Sequence, residues 1–501
     1  MASFNNLQLI LGGPGCGKTT RLLEIVTNEL SNSIRSDRIA FVSFTRAAAL
    51  EAKDRASIKL GIDGDDLIWF RTIHSLVYKQ LGMTRSEVIS RQDWKDFSKL
   101  IGINVTGFYS TDDVGGYSDR GDQLLRINDY ARTTLMTLED AWHELDEGTD
   151  FKMLKYFNQS FERFKADIGK MDFTDMLLYY LEKGRAVDVD VAVIDEAQDL
   201  TASQWAVVER AFSGAKRVFV GGDDDQAIYR WAGADIDKFL RLSSKPEILP
   251  ISHRLPREIH KVGNRIASRI SNRYTKDFES TNRRGSVNFH QAAEFAPIGS
   301  GEDQGTWLVL ARNNYMLKGL TSLVRGRGLN YRTRAGNAAN PEHIRMIQVW
   351  EALRNGKREA EADEVRRLAK VLDLPVPQLQ ETKRYDLERD FGWPTHLIWH
   401  KAMLGIAEED REWYISCLRR GEKLQHEPRI RIETIHGVKG AEADNVLILS
   451  DISGRTEHGY KLQPDHEHRV FYVGVTRAKS SLHIVMPQTT RHYAITGART
   501  W

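Results

Sequence analysis

The chain has 501 residues, enough for several domains, each with its own core. Its 71 Lys and Arg stand against 69 Asp and Glu, a net charge of only +2, so bulk charge makes no case for a nucleic-acid partner and any basic groove must be local. Two cysteines, Cys16 and Cys417, exclude a disulfide framework and a cysteine-rich zinc site; with no apolar run of membrane-span length and no signal pattern, a soluble cytoplasmic protein without a membrane partner is expected.

An apolar strand, Leu7–Leu11, opens the chain and a helix over Thr19–Leu30 follows it. Between them lies GGPGCGKTT at 12–20, which fits G-x-x-x-x-G-K-[ST] with Gly12, Gly17, Lys18 and Thr19 on the fixed positions. Glycines let such a loop fold into a nest of N–H groups aimed at phosphate oxygens, with the helix N-terminus adding a favourable field. Gly13, Pro14, Gly15, Cys16, Gly17 and Thr20 complete the expected nucleotide cradle; Lys18 reaches the β- and γ-phosphates and Thr19 supplies a Mg²⁺ ligand. Cys16 fits as a small residue and needs no redox role.

A strand over Ile39–Phe44 comes next, then a polar helical stretch from about Tyr78 to Phe164 with a turn at Gly115–Gly116, which reads as an inserted subdomain. VAVIDEAQD at 191–199 follows. Val191–Ile194 is the continuous apolar run of a buried parallel strand, and Asp195 and Glu196 emerge at its carboxyl end, where open α/β sheets bind ligands. Asp195 suits Mg²⁺ and Glu196 suits deprotonation of an attacking water. Arg217–Gly221 is another strand. A second α/β series runs through Thr306–Ala311, Val446–Leu449 and Ser481–Val485. A helical stretch over 339–424 interrupts it, with Val365, Leu368 and Leu372 on one helical face. The expected fold is α/β, with two parallel sheets each split by a helical insertion. The first core takes 1–78 and 165–249 around an insertion at 79–164. The second takes 250–338 and 425–501 around 339–424.

Further strings fall in a fixed order: FVSFTRAAA at 41–49, TIHSL at 72–76, GGDDDQAIYRWAGAD at 221–235, SHR at 252–254, TIHGVKGAEA at 434–443 and YVGVTRAK at 472–479. The ordered set resembles the UvrD/Rep/PcrA group of superfamily 1 DNA helicases. That resemblance implies two RecA-like P-loop cores, ATP and Mg²⁺ as cofactors, single-stranded DNA and its junctions with duplex as partners, and 3′→5′ travel. It places Gln226 at the γ-phosphate, Arg254 and Arg477 as cations reaching it from the second core, and Glu442 at the ribose. Lys439 is structural or phosphate-facing. Phe44, Tyr229 and Trp231 become stacking platforms for bases, each worth about 1–3 kcal/mol. The polar surroundings of Trp231 set it apart from a core tryptophan. Thr45, Arg46, Thr72, His74, Thr434 and His436 take phosphate and sugar contacts, which position a strand without reading it.

The chain departs from the family at four places. Relatives carry an adenine-reading Gln well before the phosphate loop; here Gln8 falls within the first strand. The family's tyrosine before the second-core arginine is His253, still able to stack on a base, and a family arginine after the tryptophan is Ala232. The second insertion is also short. The leading reading is a helicase. A translocase that strips proteins from DNA with little unwinding, and a nucleotide-switched loading protein, stand beside it. Stacking grooves accept DNA and RNA alike, and no residue pattern names a protein partner.

Overall fold

Strands whose residues alternate between two apolar faces need a helical layer on each side, and the N-terminal half builds that arrangement. The computed structural model describes residues 4, 6–44, 46–107, 120–145, 148–243, 245–299, 305–356 and 359–496. Among them, β1 (Leu7–Leu11), β2 (Ile39–Ser43), β3 (Phe70–Thr72), β4 (Val191–Asp195), β5 (Arg217–Gly222) and β6 (Glu247–Ile248) form one sheet in the order β3-β2-β4-β5-β1-β6. Every neighbouring pair is parallel. Ile10, Phe41, Val193 and Phe219 point to one face and pack with Leu22, Ile25 and Val26 of the helix Lys18–Ser31. Leu11, Val42, Ile194 and Val220 point to the other and pack with Trp205 and Val208. Because all six strands run the same way, every loop after a strand opens on one edge. The phosphate loop, the Asp195–Glu196 pair and the segment after β5 meet there for that reason.

The insertion expected at 79–164 contains helices Arg91–Ile101, Arg120–Thr134, Leu138–Leu145 and Phe151–Ile168. It has a core of its own around Phe97, Leu124, Ile127, Leu154, Phe157 and Phe161. The turn expected at Gly115–Gly116 lies outside the described residues. This first unit takes in the chain up to Gly285 together with Ser453–Thr476. Helices Arg257–Ala267 and Pro464–Val475 pack against each other within it.

The second unit holds Ser286–Ile452 and Arg477–Tyr493. Its strands are β7 (Ser286–His290), β8 (Trp307–Ala311), β9 (Tyr331–Thr333), β10 (Gly336–Asn337), a small separate pair β11 (Ala360–Glu361) and β12 (Arg384–Tyr385), then β13 (Ile430–Thr434), β14 (Ala443–Leu449) and β15 (Ala478–Val485). The sheet order is β10-β9-β13-β8-β14-β15-β7, parallel except for the β9–β10 hairpin. Here the insertion does not stand apart. Val365, Leu368 and Leu372 from 339–424 share one buried cluster with Trp350, Trp413, Trp307, Val309 and Ile432. Each buried apolar side chain of this kind contributes about 1.5–3 kcal/mol, so the insertion and the sheet are held as one body. No helix among the described residues is long and apolar enough to cross a membrane.

Candidate active site

The loop after β1 turns on two left-handed glycines, Gly15 (φ 73°) and Gly17 (φ 79°), the second capping the helix Lys18–Ser31. Side chains rarely tolerate that region, so glycine there is a backbone requirement. Lys18 is buried, and its Nζ donates to Gly12 O at 2.9 Å and Gly13 O at 3.4 Å. Pro14 is buried and Thr20 exposed. Burial pushes the Cys16 thiol up to about 11, so it stays a neutral, inert filler.

Thr19 Oγ1 donates to Asp195 Oδ2 at 2.8 Å, joining the phosphate loop to the end of β4. Burial first, and the neighbouring Glu196 second, push the Asp195 carboxyl up to about 7. An alcohol and a carboxylate oxygen side by side are hard donors, and two crowded acids in a dry site favour a cation. These residues fit Mg²⁺. Glu196 adopts a left-handed backbone (φ 52°, ψ 39°), an uncommon conformation for a residue with a side chain that costs roughly 1–3 kcal/mol. The surrounding turn holds it. Gln198 Nε2 donates to Glu196 Oε2 at 2.6 Å, and Gln198 Oε1 accepts the Asp223 amide at 3.1 Å. Gln226 Nε2 donates to Asp223 Oδ2 at 2.6 Å. A chain of hydrogen bonds thus runs from the half-buried Glu196 inwards to Gln226.

The segment after β6 lies on the phosphate loop. His253 N donates to Gly15 O at 2.9 Å, and Ser252 Oγ donates to Pro14 O at 2.7 Å. Ser252 Oγ also accepts from Leu255 N at 3.1 Å and Arg254 N at 3.3 Å. A Cβ placed on Gly15 would lie 2.3 Å from Arg254 Cβ, so Arg254 is brought directly against the loop. Phe278 covers the neighbouring position, its Cζ 2.3 Å from where a Gly13 Cβ would sit.

The aromatics form a ladder. Phe44 and Tyr229 stack with centroids 5.5 Å apart, and Tyr229 meets Trp231 edge-on at 6.1 Å. All three are half-buried, and among the described residues the enclosed Trp231 Nε1 has no hydrogen-bond partner. Arg46 is exposed at the start of the helix Arg46–Leu60; Thr45 lies outside the described residues. Thr72 caps the helix Ile73–Gln80, accepting from Ser75 N at 3.2 Å. Burial pushes the His74 imidazole down to about 4, and its ring meets Phe173 edge-on at 5.9 Å. At neutral pH it therefore carries no charge.

In the second unit Thr434 is fully buried, its hydroxyl accepting the Gly437 amide at 3.2 Å, and His436 is buried beside it. Arg477 is buried, with Nη1 donating to Ala441 O at 3.4 Å. The exposed Glu442 pairs with Lys479 at 3.0 Å, and Lys439 is half-buried. Gln8, exposed on β1, donates to Glu247 Oε2 at 2.7 Å.

Sequence reasoning passed over three residues of this site. Gln198 sits inside the quoted DEAQD string and Ser252 opens the quoted SHR, so both were visible as letters without a role. Phe278 belongs to no string and is found only through the fold.

The family profile for the UvrD/REP helicase N-terminal domain matches residues 1–247, and that for the UvrD-like helicase C-terminal domain matches 414–489. The chain is similar to the ATP-dependent DNA helicase PcrA of Bacillus subtilis, 27% identical over 306 residues, covering 55% of this chain and 39% of PcrA. It is also similar to the ATP-dependent DNA helicase UvrD2 of Mycobacterium tuberculosis, 24% identical over 541 residues, covering 94% and 75% of the two chains. Among solved structures, arterivirus nonstructural protein 10 (helicase) aligns with 97% of this chain and 60% of its own at 12% identity and a TM-score of 0.34, too loose a likeness to carry weight. Both halves of the family profile fall in order on one chain, and a relative aligns along nearly all of it: the chain belongs to the UvrD/Rep family of helicases.

Proposed function

We propose that this chain is an ATP-driven motor on single-stranded DNA, a helicase that moves 3′→5′ and opens duplex from a single-stranded tail. The observation that carries this reading is one short stretch after β5. Gln226, bonded towards Glu196, is followed within two turns by Tyr229, which stacks on Phe44, and by Trp231, which meets Tyr229 edge-on. A group able to sense phosphate and a surface able to hold bases are thereby parts of the same turn.

In the proposed chemistry the loop amides of Gly13–Thr20 and Lys18 hold the phosphates, and Thr19 and Asp195 hold Mg²⁺. When bound, Mg²⁺ neutralises charge on the phosphoryl oxygens. Glu196 takes the proton of the attacking water and Gln226 orients that water. Arg254 sets its planar fork on the γ-phosphate; family likeness assigns Arg477 the same task, Glu442 the ribose and His253 the base. Arg46, Thr72 and a neutral His74 offer strand contacts beside the aromatic ladder, while Thr434 and His436 support the loop that bears Lys439. The four-part division into 1–78 with 165–249, 79–164, 250–338 with 425–501, and 339–424 is part of the same proposal.

Steady-state ATPase with and without single-stranded DNA, and strand displacement on 3′-tailed and 5′-tailed DNA and RNA, test it. DNA-stimulated turnover lost in Lys18→Ala, with displacement from the 3′ tail, is expected. A second reading, a translocase that strips bound proteins, is favoured by the shared core of 339–424, which leaves that insertion without an independent body. Release of streptavidin from biotinylated single strands without duplex opening identifies it.

A further inference from the structure

Three consecutive carboxylates, Asp223, Asp224 and Asp225, follow β5, and all three are enclosed. Unpaired, such a cluster is heavily destabilised. The Lys276 side chain, itself fully enclosed, ion-pairs with Asp224 and reaches Asp223 Oδ1 at 3.2 Å and Asp225 Oδ2 at 3.0 Å. Arg273 Nε donates to Asp225 Oδ1 at 2.7 Å, and Tyr274 N to Asp224 Oδ2 at 2.8 Å. Burial alone raises the Asp223 carboxyl, but Lys276, ahead of Lys18, overcomes it and leaves that group below its ordinary range. Asp223 therefore stays an anion, and its Oδ2 is the acceptor of the Gln226 amide.

The same segment reaches the phosphate loop at its other end. Phe278 lies over Gly13, and Glu279 O accepts the Ser252 amide at 2.8 Å. Residues 273–279 thus brace both the Gln226 turn and the loop that carries Lys18. None of them belongs to the strings that mark the nucleotide or DNA residues.

We propose that Lys276 is a positioning residue for hydrolysis, clamping Asp223 so that Asp223 orients Gln226 and, through Gln198, Glu196. This rests on the ATPase reading above. Lys276 touches neither substrate nor water in this role. Removing its charge leaves the phosphate cradle intact but frees the Gln226 amide, and displacement of a reacting-site group by about 1 Å costs on the order of 10²-fold in rate.

The test measures DNA-stimulated ATPase and binding of a fluorescent ATP analogue for the wild type, Lys276→Met and the charge-balanced double variant Asp224→Asn/Lys276→Met. The expected result is a kcat lowered about tenfold to a hundredfold, with nucleotide affinity within about threefold, in whichever variant melts like the wild type. The double variant separates positioning from folding, because restored stability with a still-low kcat is not what a structural ion pair predicts. A folded variant with kcat within about twofold of the wild type overturns the inference. Insolubility of both variants assigns Lys276 to the fold alone and overturns it equally. A wild type with no turnover overturns the ATPase reading and this inference together; a working wild type beside an unaffected variant overturns the inference alone.

Discussion

Ser252 never faces a nucleotide in the proposed chemistry, yet its hydroxyl is the joint between the phosphate loop and Arg254. It is fully buried, donates to Pro14 O at 2.7 Å, and accepts from Leu255 N at 3.1 Å and Arg254 N at 3.3 Å. Ser252→Ala leaves one carbonyl and two amides without this partner in a site closed to water. At about 1 kcal/mol net per buried hydrogen bond, and less for the longest, the loss comes to about 2–3 kcal/mol. The hydrophobic cores are untouched, so the cost falls on the docking of 252–255 against Pro14 and Gly15. Two readouts follow: an earlier first transition in urea with an unchanged slope, and an ATPase kcat at least about tenfold lower because Arg254 loses its register, a loss equivalent to about 1.4 kcal/mol. A variant within about 0.5 kcal/mol of the wild type that also keeps its kcat would show that the hydroxyl is not the joint.

Gly13→Ala drives a methyl to 2.3 Å from the Phe278 ring and is expected to cost about 1–3 kcal/mol and weaken ATP binding, with partial recovery on adding Phe278→Leu; an unchanged melting temperature in the single variant rules the contact out. Trp231→Ala and Phe44→Ala should each weaken binding of oligo-dT by about 1–3 kcal/mol in fluorescence anisotropy, and less than additively together, since both rings contact Tyr229; full affinity in either single variant counts against the platform. His74 has a folded pKa of about 4 against an ordinary 6.5. The unfolded chain therefore binds the proton first as pH falls. Its contribution is whole above about pH 6.5 and drains away down to about pH 4, up to about 3 kcal/mol in all. Urea midpoints at pH 7.5 and pH 5 should differ by less in His74→Gln than in the wild type, and equal pH dependence would remove His74 as the cause.

The sheets are legible because their strands are short apolar runs bounded by polar turns: the strand Leu7–Leu11 coincides with the apolar run, and Val191–Ile194 extends by only one residue, to Asp195. The phosphate loop was legible because its chemistry lies in one string, Gly12 to Thr19. The second insertion was legible as helix but not as packing, since the period that puts Val365, Leu368 and Leu372 on one face does not say what the face meets. Lys276 and Phe278 were illegible for a related reason. Each acts on residues far away in the chain, on Asp223–Asp225 and on Gly13, and no local spacing encodes such a meeting.

The contrast between two kinds of contact after β5 bears on how a cycle of hydrolysis becomes movement. From Glu196 through Gln198 and Asp223 to Gln226 the links are directional hydrogen bonds of 2.6–3.1 Å, buried except where they reach the half-buried Glu196, and such bonds hold one geometry or break. From Tyr229 to Phe44 and Trp231 the links are half-buried ring contacts, which slide at little cost. A stiff bonded chain ending in a compliant stack is a workable transmission: a change at the phosphate end would be carried along those bonds to residue 226, while the stack could regrip a base without disturbing the chemistry. Coupling of this kind needs two discrete arrangements of the 223–232 turn. Hydrogen exchange of the amides from 223 to 232 with ADP and with a non-hydrolysable ATP analogue should then show two protection patterns that change together. Protection that changes at 226 alone, with 229 and 231 indifferent, would uncouple the sensor from the platform.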